Sequence, residues 1–321
     1  MIKLSPLQKK VLGVISMDCR IEVEEVARQV SARPHQVRYV IDRLQDLLSL
    51  SPYCLTNPFR RGLVPYSALF SIDNSELSHR TEMIEYLGSR PEVFWLHELY
   101  GYYQFIMTIW VPDSQHLHAF LHDFDSRFGS LIVSRSLREV SRNVLFTPAV
   151  AQMPSKQRIS RGYLAERSVN TLDSIDRDIL EALHRSPLAS SREIARSLGQ
   201  PASTIGFRTN RLIKEGVIIS CIYDYDARLA GTESYLALVK LNGLGGGLSD
   251  GFFEFARQHP RINRIARLLG DWDLEIDLEL DEPHELNHII HQIFKHGNGS
   301  VKDVLCHSWG KELRTFAHKR P

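Results

Sequence analysis

Apolar residues along this chain follow a helical period in some stretches and a period of two in others. In "LDSIDRDILEALHRS" (172–186), Ile175, Ile179, Leu180 and Leu183 fall at intervals that gather them on one helix face. "SREIARSLG" (191–199) predicts a short helix stopped at Gly199. "ASTIGFRTNRLIKEG" (202–216) predicts a third, stopped at Gly216, with Ile205 and Leu212 inward and Thr209 between them. "VIISCIYDYD" (217–226) reads as a β-rich wing. Three short helices, a tight turn between the second and third, and a hairpin predict a winged helix-turn-helix. Beyond it the period shortens. "SYLALVKL", "INRIARLL", "DLEIDLEL" and "VKDVLCHSW" predict strands, interleaved with helical "SDGFFEFARQH" and "PHELNHIIHQIFKH". The order βαββαβ predicts a ferredoxin-like antiparallel sheet with both helices on one face.

The first half repeats this pattern. Ala27-Arg28 falls on Ala195-Arg196, and Arg43-Leu44 on Arg211-Leu212, at an offset of 168. Gly62 meets Gly231, Tyr66 meets Tyr235, Pro91 meets Pro260 and Gly101 meets Gly270 at 169, and Gly129-Ser130 meets Gly299-Ser300 at 170. Ser5-Pro6 starts the first helix, "EVEEVARQV" the second, and Pro34 opens the third at a position where a helix tolerates proline. The expected fold class is α+β, two repeats of winged helix-turn-helix plus ferredoxin-like domain. The boundaries are 1–61 and 62–150 for the first unit, 151–170 for a linker, and 171–231 and 232–321 for the second.

Composition is that of an ordinary globular chain, 43% apolar and 24% charged. No apolar run is long enough to span a bilayer, and "MIKLSPLQKK" has no signal-type core, so a cytoplasmic chain without membrane contact is expected. Cys19, Cys54, Cys221 and Cys306 are far apart, which suits free thiols in a reducing compartment. The net charge of +1 conceals an asymmetry. Residues 1–61 hold 10 basic and 6 acidic side chains, residues 62–150 hold 6 and 10, and the linker holds 4 and 1. The basic parts hint at a polyanionic partner.

The stretches "LDSIDRDIL", "REIARSLG", "TIGFRTNRLIKEGVI" and "GDWDLEIDLEL" resemble the Lrp/AsnC family of transcription regulators, in a tandem two-unit form. Unit one matches in pattern but has "QDLLSLSP" where unit two has Glu-Gly-Val-Ile, and "GYYQF" where unit two has "GDWDL". The resemblance implies that the third helix of each unit enters the major groove of double-stranded DNA. The outward positions are Arg33, His35, Gln36, Arg38, Tyr39 and Arg43 in unit one, and Ser203, Thr204, Phe207, Arg208, Arg211 and Lys214 in unit two. Arginine can grip guanine with two hydrogen bonds and glutamine can do so with adenine. Arg60 and Arg61 are candidate phosphate clamps, as are Lys156, Arg158 and Arg161 in the linker. Gly206 inside the unit-two helix costs about 1 kcal/mol against alanine, and Pro201 stands where the family resemblance implies a serine cap. The resemblance also implies a small-molecule effector of the amino-acid class at Gly270, Asp271, Trp272 and Asp273, and a homo-oligomer of at least two chains. In unit one the corresponding loop, Gly101 to Gln104, has no carboxylate.

"HELNH" (284–288) fits the two-histidine zinc pattern H-E-x-x-H. However, Leu286, Ile289, Ile290 and Phe294 form the expected inward stripe, which leaves His284, His288 and His291 on a solvated face. "GLGGGL" (243–248) reads as a flexible connection. The expectation is a non-enzyme with no cofactor and no metal. Two alternatives stay open: a siroheme-decarboxylase-like tetrapyrrole enzyme on the same scaffold, although the His-Asn-Tyr stretch that resemblance would demand is missing, and a ligand-sensing protein that does not bind DNA.

Overall fold

The computed structural model describes residues 4–73, 77–165, 170–243 and 246–315. The first half runs α1 (Pro6–Ile15), α2 (Val23–Val30), α3 (Pro34–Leu48), β1 (Ser51–Thr56), β2 (Val64–Ile72), α4 (Leu77–Ser89), β3 (Val93–Tyr100), β4 (Phe105–Val111), α5 (Ser114–Phe128), β5 (Ile132–Phe146) and β6 (Ser160–Leu164). The second runs α6 (Ser174–Arg185), α7 (Ser191–Leu198), α8 (Ala202–Lys214), β7 (Ile218–Asp224), β8 (Glu233–Leu241), α9 (Gly246–Gln258), β9 (Ile262–Leu269), β10 (Leu274–Leu280), α10 (Glu285–Gly297) and β11 (Val301–Thr315). Residues 244 and 245 of the glycine-rich stretch lie outside the described residues.

Local chemistry sets the helix ends. The Ser5 hydroxyl accepts from the Gln8 N–H, and the Gln8 side chain accepts in return from the Ser5 N–H. Asp173 with Asp176, and Ser190 with Glu193, repeat the device at α6 and α7. Gly199 closes α7 in the left-handed conformation that a residue without a Cβ adopts freely.

The wings depart from expectation. Neither unit forms its own hairpin; β1 and β7 pair with each other, antiparallel, with Cys54 opposite Cys221. After β1 the chain goes through a short 3-10 turn, Phe59–Arg61, straight into β2. Among the described residues no return strand of the same unit covers the β1 edge, and the equivalent strand of the other unit satisfies it.

The remaining strands form one antiparallel sheet in the order β2-β4-β3-β11-β8-β10-β9-β5-β6, with β2 also paired to β5. That last pairing closes eight strands into a barrel. The 15-residue strands β5 and β11 make the closure. The first half of β5 pairs with β2 of its own unit and the second half with β9 of the other. In the same way β11 joins β8 to β3. Arg138 lies opposite Ser67, and His307 opposite Leu236, so Arg138 and His307 are equivalent at the offset of 169. The slip to 170 is therefore confined to the turn before β11, where Asn298 and Gly299 have φ of 43° and 82°.

Alternation along each strand divides the barrel into two environments. Outward residues such as Ala68, Phe105, Met107 and Ile109 pack under α4 and α5; Val239, Ile265, Ile276 and Leu278 pack under α9 and α10. Inward residues include Leu69, Leu99, Ile106, Leu236 and Leu238 on one side and Val140, Tyr163, Ala266 and Leu268 on the other. The expected linker takes part in this. β6 pairs with β5, and Gly162 lies so close that a Cβ would sit 2.1 Å from the Asn143 carbonyl oxygen.

Candidate nucleic-acid interface and effector loops

On α3 the side chains of Arg33, His35, Gln36, Arg38, Tyr39 and Arg43 are all exposed, while Val37, Val40 and Leu44 are buried against α1 and α2. Tyr39 stands out with 66% exposure. Arg38 lies 4.0 Å from Glu24, with both side chains mostly in solvent. An exposed pair of that kind contributes about 0–1 kcal/mol and leaves the arginine available. The Oε1 of Gln36 accepts from the Arg33 N–H at 3.0 Å, so Gln36 closes the helix start in the free protein.

On α8 the picture differs. Ser203, Phe207 and Lys214 are exposed, Phe207 at 71%, and Thr204 is half-buried. Arg208, by contrast, is turned back onto α6, donating to Asp173 at 2.7 Å and Asp176 at 2.9 Å. Arg211 donates to the other oxygen of Asp176 at 2.5 Å. Asp176 is only 1% exposed. A buried carboxylate stripped of its cations is costly, so these pairs hold both arginines against α6. These bonds to Asp173 and Asp176 raise the Arg208 pKa above its ordinary value. Contact with a base would have to break them.

The candidate phosphate clamps are also drawn inward. Arg61 donates to Thr56 Oγ1 at 3.1 Å and lies over the Trp110 ring at 5.5 Å. Burial lowers its pKa to about 10. Arg60 packs against Gly216 of the other unit. Arg158 is buried and donates to the carbonyls of Ala256, His259, Thr147 and Ile262. Only Lys156 of the linker trio is fully exposed; Arg161 is half-buried on β6.

The effector loop is built into the barrel. A Cβ on Gly270 would lie 2.7 Å from Cγ of Arg138, so the loop sits directly on unit one. Asp271 accepts from the Ser136 hydroxyl at 2.8 Å. Trp272 packs with the interior clusters. Asp273 is buried and accepts from the Leu241 N–H at 2.7 Å, with Lys240 at 3.7 Å. The unit-one loop mirrors this: Gly101 lies over His307, whose Nε2 accepts from the Tyr103 N–H at 3.1 Å. Burial, then Arg138, lowers the His307 pKa to about 4 and keeps the ring neutral. Of the four residues expected to hold a ligand, Asp271 is the one whose carboxylate stays at the surface.

His284 just before α10, and His288 and His291 on it, are exposed, and His288 bonds Gln292 at 2.9 Å. Among the described residues no group of three metal-ligating side chains converges. The inward stripe of this helix differs from expectation. Ile289 and Ile293 are buried, whereas Phe294 is 40% exposed, because the helix turns the one-turn pair Ile289 and Ile293 toward the sheet.

The barrel interior holds chemistry that the sequence reading missed. Glu275 is 2% exposed and lies 3.0 Å from Arg138 and 2.8 Å from Arg264. Arg264 also donates to Asp277 at 2.6 Å and to Asn143 at 3.2 Å. Ser67 links Arg138 to Glu275. Burial alone would raise Glu275, but Arg138 and Arg264 prevail and lower it. The strand "DLEIDLEL" alternates acidic and apolar residues, which suggests a solvated face; the other unit closes over that face instead.

The chain matches a family model described as winged helix-turn-helix DNA-binding over residues 172–219. It is 30% identical to HTH-type transcriptional regulator FL11 of Pyrococcus horikoshii over 133 residues, 41% of this chain and 83% of that protein. It is 24% identical to HTH-type transcriptional regulator LrpB of Bacillus subtilis over 140 residues, 42% of this chain and 93% of that one. Across nearly the whole chain the fold is similar to the crystal structure of the siroheme decarboxylase NirDL, with a TM-score of 0.62 at 12% identity, covering 97% of this chain and 93% of that one. No helix among the described residues is long and apolar enough to cross a membrane.

Proposed function

Because the chain belongs to the Lrp/AsnC family, we propose that it is a DNA-binding transcription regulator in which unit one supplies the stronger base-reading surface. The observation that carries this reading is the exposed set Arg33, His35, Arg38, Tyr39 and Arg43 on α3, against the paired Arg208 and Arg211 on α8. Helix-turn-helix proteins insert the third helix into the major groove, where an available arginine reads guanine. The β1–β7 ribbon joins the two winged units, so the chain presents two unlike reading heads, suited to an asymmetric site. Further association of chains and modulation by a small molecule belong to the same proposal.

The relatives that carry regulator names support a role other than catalysis. The likeness to a siroheme decarboxylase extends to fold alone. The interior cavity, about 240 Å³, is smaller than the range that takes drug-sized ligands, and a tetrapyrrole is larger still. The test is fluorescence anisotropy on DNA from upstream of its own gene against scrambled DNA across a salt series. The reading expects sequence-selective affinity that falls steeply with salt. Equal, weak binding to both DNAs would overturn it, and a tetrapyrrole absorption band that persists through purification would favour the enzyme.

A further inference from the structure

Three of the four cysteines lie where the two winged units join, and the DNA-reading function uses none of them. Cys54 on β1 stands directly opposite Cys221 on β7. The Cys221 carbonyl accepts from the Cys19 N–H at 2.7 Å, and the Tyr223 N–H donates to the Ser16 carbonyl at 3.1 Å. The backbone of Cys221 therefore points away from β1, so Cys54 and Cys221 form a non-hydrogen-bonded pair. Such pairs have Cα atoms about 4.5 Å apart, within the span of a disulfide. The Cys221 sulfur also takes hydrogen bonds from the thiols of both Cys19 and Cys54. Arg20 lies beside it, and its guanidinium otherwise donates to two carbonyls, Pro187 at 3.3 Å and Ala189 at 3.0 Å. Neutral acceptors leave its positive charge in place. The bonds from Cys19 and Cys54, then Arg20, hold the Cys221 thiol below its ordinary range, while both donor thiols are raised. Cys54 and Cys221 are buried, but Cys19 is half-buried and Arg20 exposed, so the cluster reaches the surface at the turn between α1 and α2. Cys306 on β11 differs: burial pushes its thiol up to about 11.

We propose that Cys221 is a peroxide-reactive thiol, and that its oxidation ends in a disulfide to Cys19 or Cys54 that ties the second unit to the first. The oxidant is hydrogen peroxide, small enough to enter beside Cys19. The Cys221 thiolate attacks one peroxide oxygen. An S–O bond forms, the O–O bond breaks, and the departing hydroxide takes up a proton as water. The neighbouring thiol then attacks the Cys221 sulfur. The S–S bond forms, the S–O bond breaks, and the second hydroxide leaves as water with the proton of the attacking thiol. Two thiols are oxidised and one peroxide is reduced to two waters, with no other co-reactant. Cys19 and Cys54 both belong to unit one, so either bond crosses between the units. On the regulator reading, on which this consequence alone rests, the bond fixes the ribbon between the two DNA-reading heads and with it their spacing.

The test uses the full chain without DNA, reduced, freed of reductant and treated with stoichiometric hydrogen peroxide. Free thiols are counted in denaturant, and non-reducing peptide mapping by mass spectrometry identifies the bonded residues. The proposal expects the count to fall from four to two, with Cys221 bonded to Cys19 or Cys54, Cys306 still reduced, and all four thiols recovered with dithiothreitol. Cys221→Ser, checked for folding by circular dichroism, should keep its other three thiols under the same treatment. A count that stays at four, loss of thiols without a bond, a bond that omits Cys221 or joins two chains, or loss of two thiols from Cys221→Ser at the unaltered rate would overturn it. Mapping of the unaltered chain decides the matter even where the variant fails to fold. Because DNA is absent, failure here is separate from failure of the regulator reading, which the anisotropy titration decides. Repeating that titration with the oxidised chain tests the coupling.

Discussion

The two recognition helices carry comparable basic residues and use them in opposite ways. On α8, Arg208 and Arg211 grip Asp173 and Asp176 at the start of α6. On α3, Arg38 and Arg43 face solvent. The cause lies in the first helix of each unit. At the offset of 168, Asp173 and Asp176 correspond to Ser5 and Gln8. Both pairs form a capping box, but only one is made of carboxylates, so α1 has no acid with which to draw the arginines of α3 inward. The unit whose sequence matches the family model therefore has the more self-neutralised third helix, and the diverged unit leaves the cations of its third helix in solvent. Likeness to a family and availability of the binding chemistry are separate properties.

The barrel shows the same divergence, and its disruption has the largest expected effect. Arg264→Met leaves Glu275 and Asp277 buried with one cation fewer, and should destabilise by about 3–5 kcal/mol. Its equivalent, Trp95→Phe, keeps an apolar wall and should lose less than about 2 kcal/mol. Urea unfolding of both variants checks this; equal losses would show that the two walls do the same job. The next effect is on DNA binding. Asp176→Asn keeps a hydrogen-bonding cap but removes the charge that holds Arg211 and one of the two that hold Arg208. It should raise affinity for DNA several-fold and steepen the salt dependence by about one to two phosphate contacts. An unchanged slope in anisotropy titrations would mean that the arginines are held by something other than charge.

Helix starts sharpen the comparison at smaller scale. Ser190 caps α7 with its side chain, whereas Glu22 at the start of α2 makes no such bond. Ser190→Ala should lose about 1 kcal/mol and Glu22→Ala almost nothing, read from unfolding midpoints. A last prediction concerns pH. Because burial, then Arg138, lowers the His307 ring from 6.5 to about 4, its protonation is resisted in the folded chain. The unfolded chain takes up the proton first, so the stability it contributes is lost as pH falls from about 6.5 through 4. His307→Gln should remove that decline, so the melting temperature of the unaltered protein should fall more steeply than the variant's between pH 7 and pH 4.5.

The sequence shows most of the architecture because its signals are local. The helical stripes of α1 to α3 and α6 to α8, the period-two strands and the tandem repeat are all legible. What it does not show is which surfaces the two units share. β1 and β7 read as two separate wings, yet they form one ribbon, since strand pairing across about 170 residues leaves no local mark. Glu275, Asp277 and Glu279 alternate with apolar residues, a pattern that does not say what covers their side of the strand, and the other unit closes over it. Arg61 and Arg158 read as phosphate contacts, yet Trp110 and a set of carbonyls claim them. The capture of Arg208 was readable: acids stand at Asp173 and Asp176 where unit one has Ser5 and Gln8.

The most direct test of the central claim is a paired anisotropy titration on selective DNA with Arg38→Ala and Arg208→Ala beside the unaltered chain, each on matched and scrambled duplexes. The account predicts that Arg38→Ala lowers affinity for the matched duplex by about ten- to a hundredfold and erodes selectivity, whereas Arg208→Ala changes affinity by less than about threefold. The reverse order, with Arg208→Ala the damaging change and Arg38→Ala silent, would contradict it.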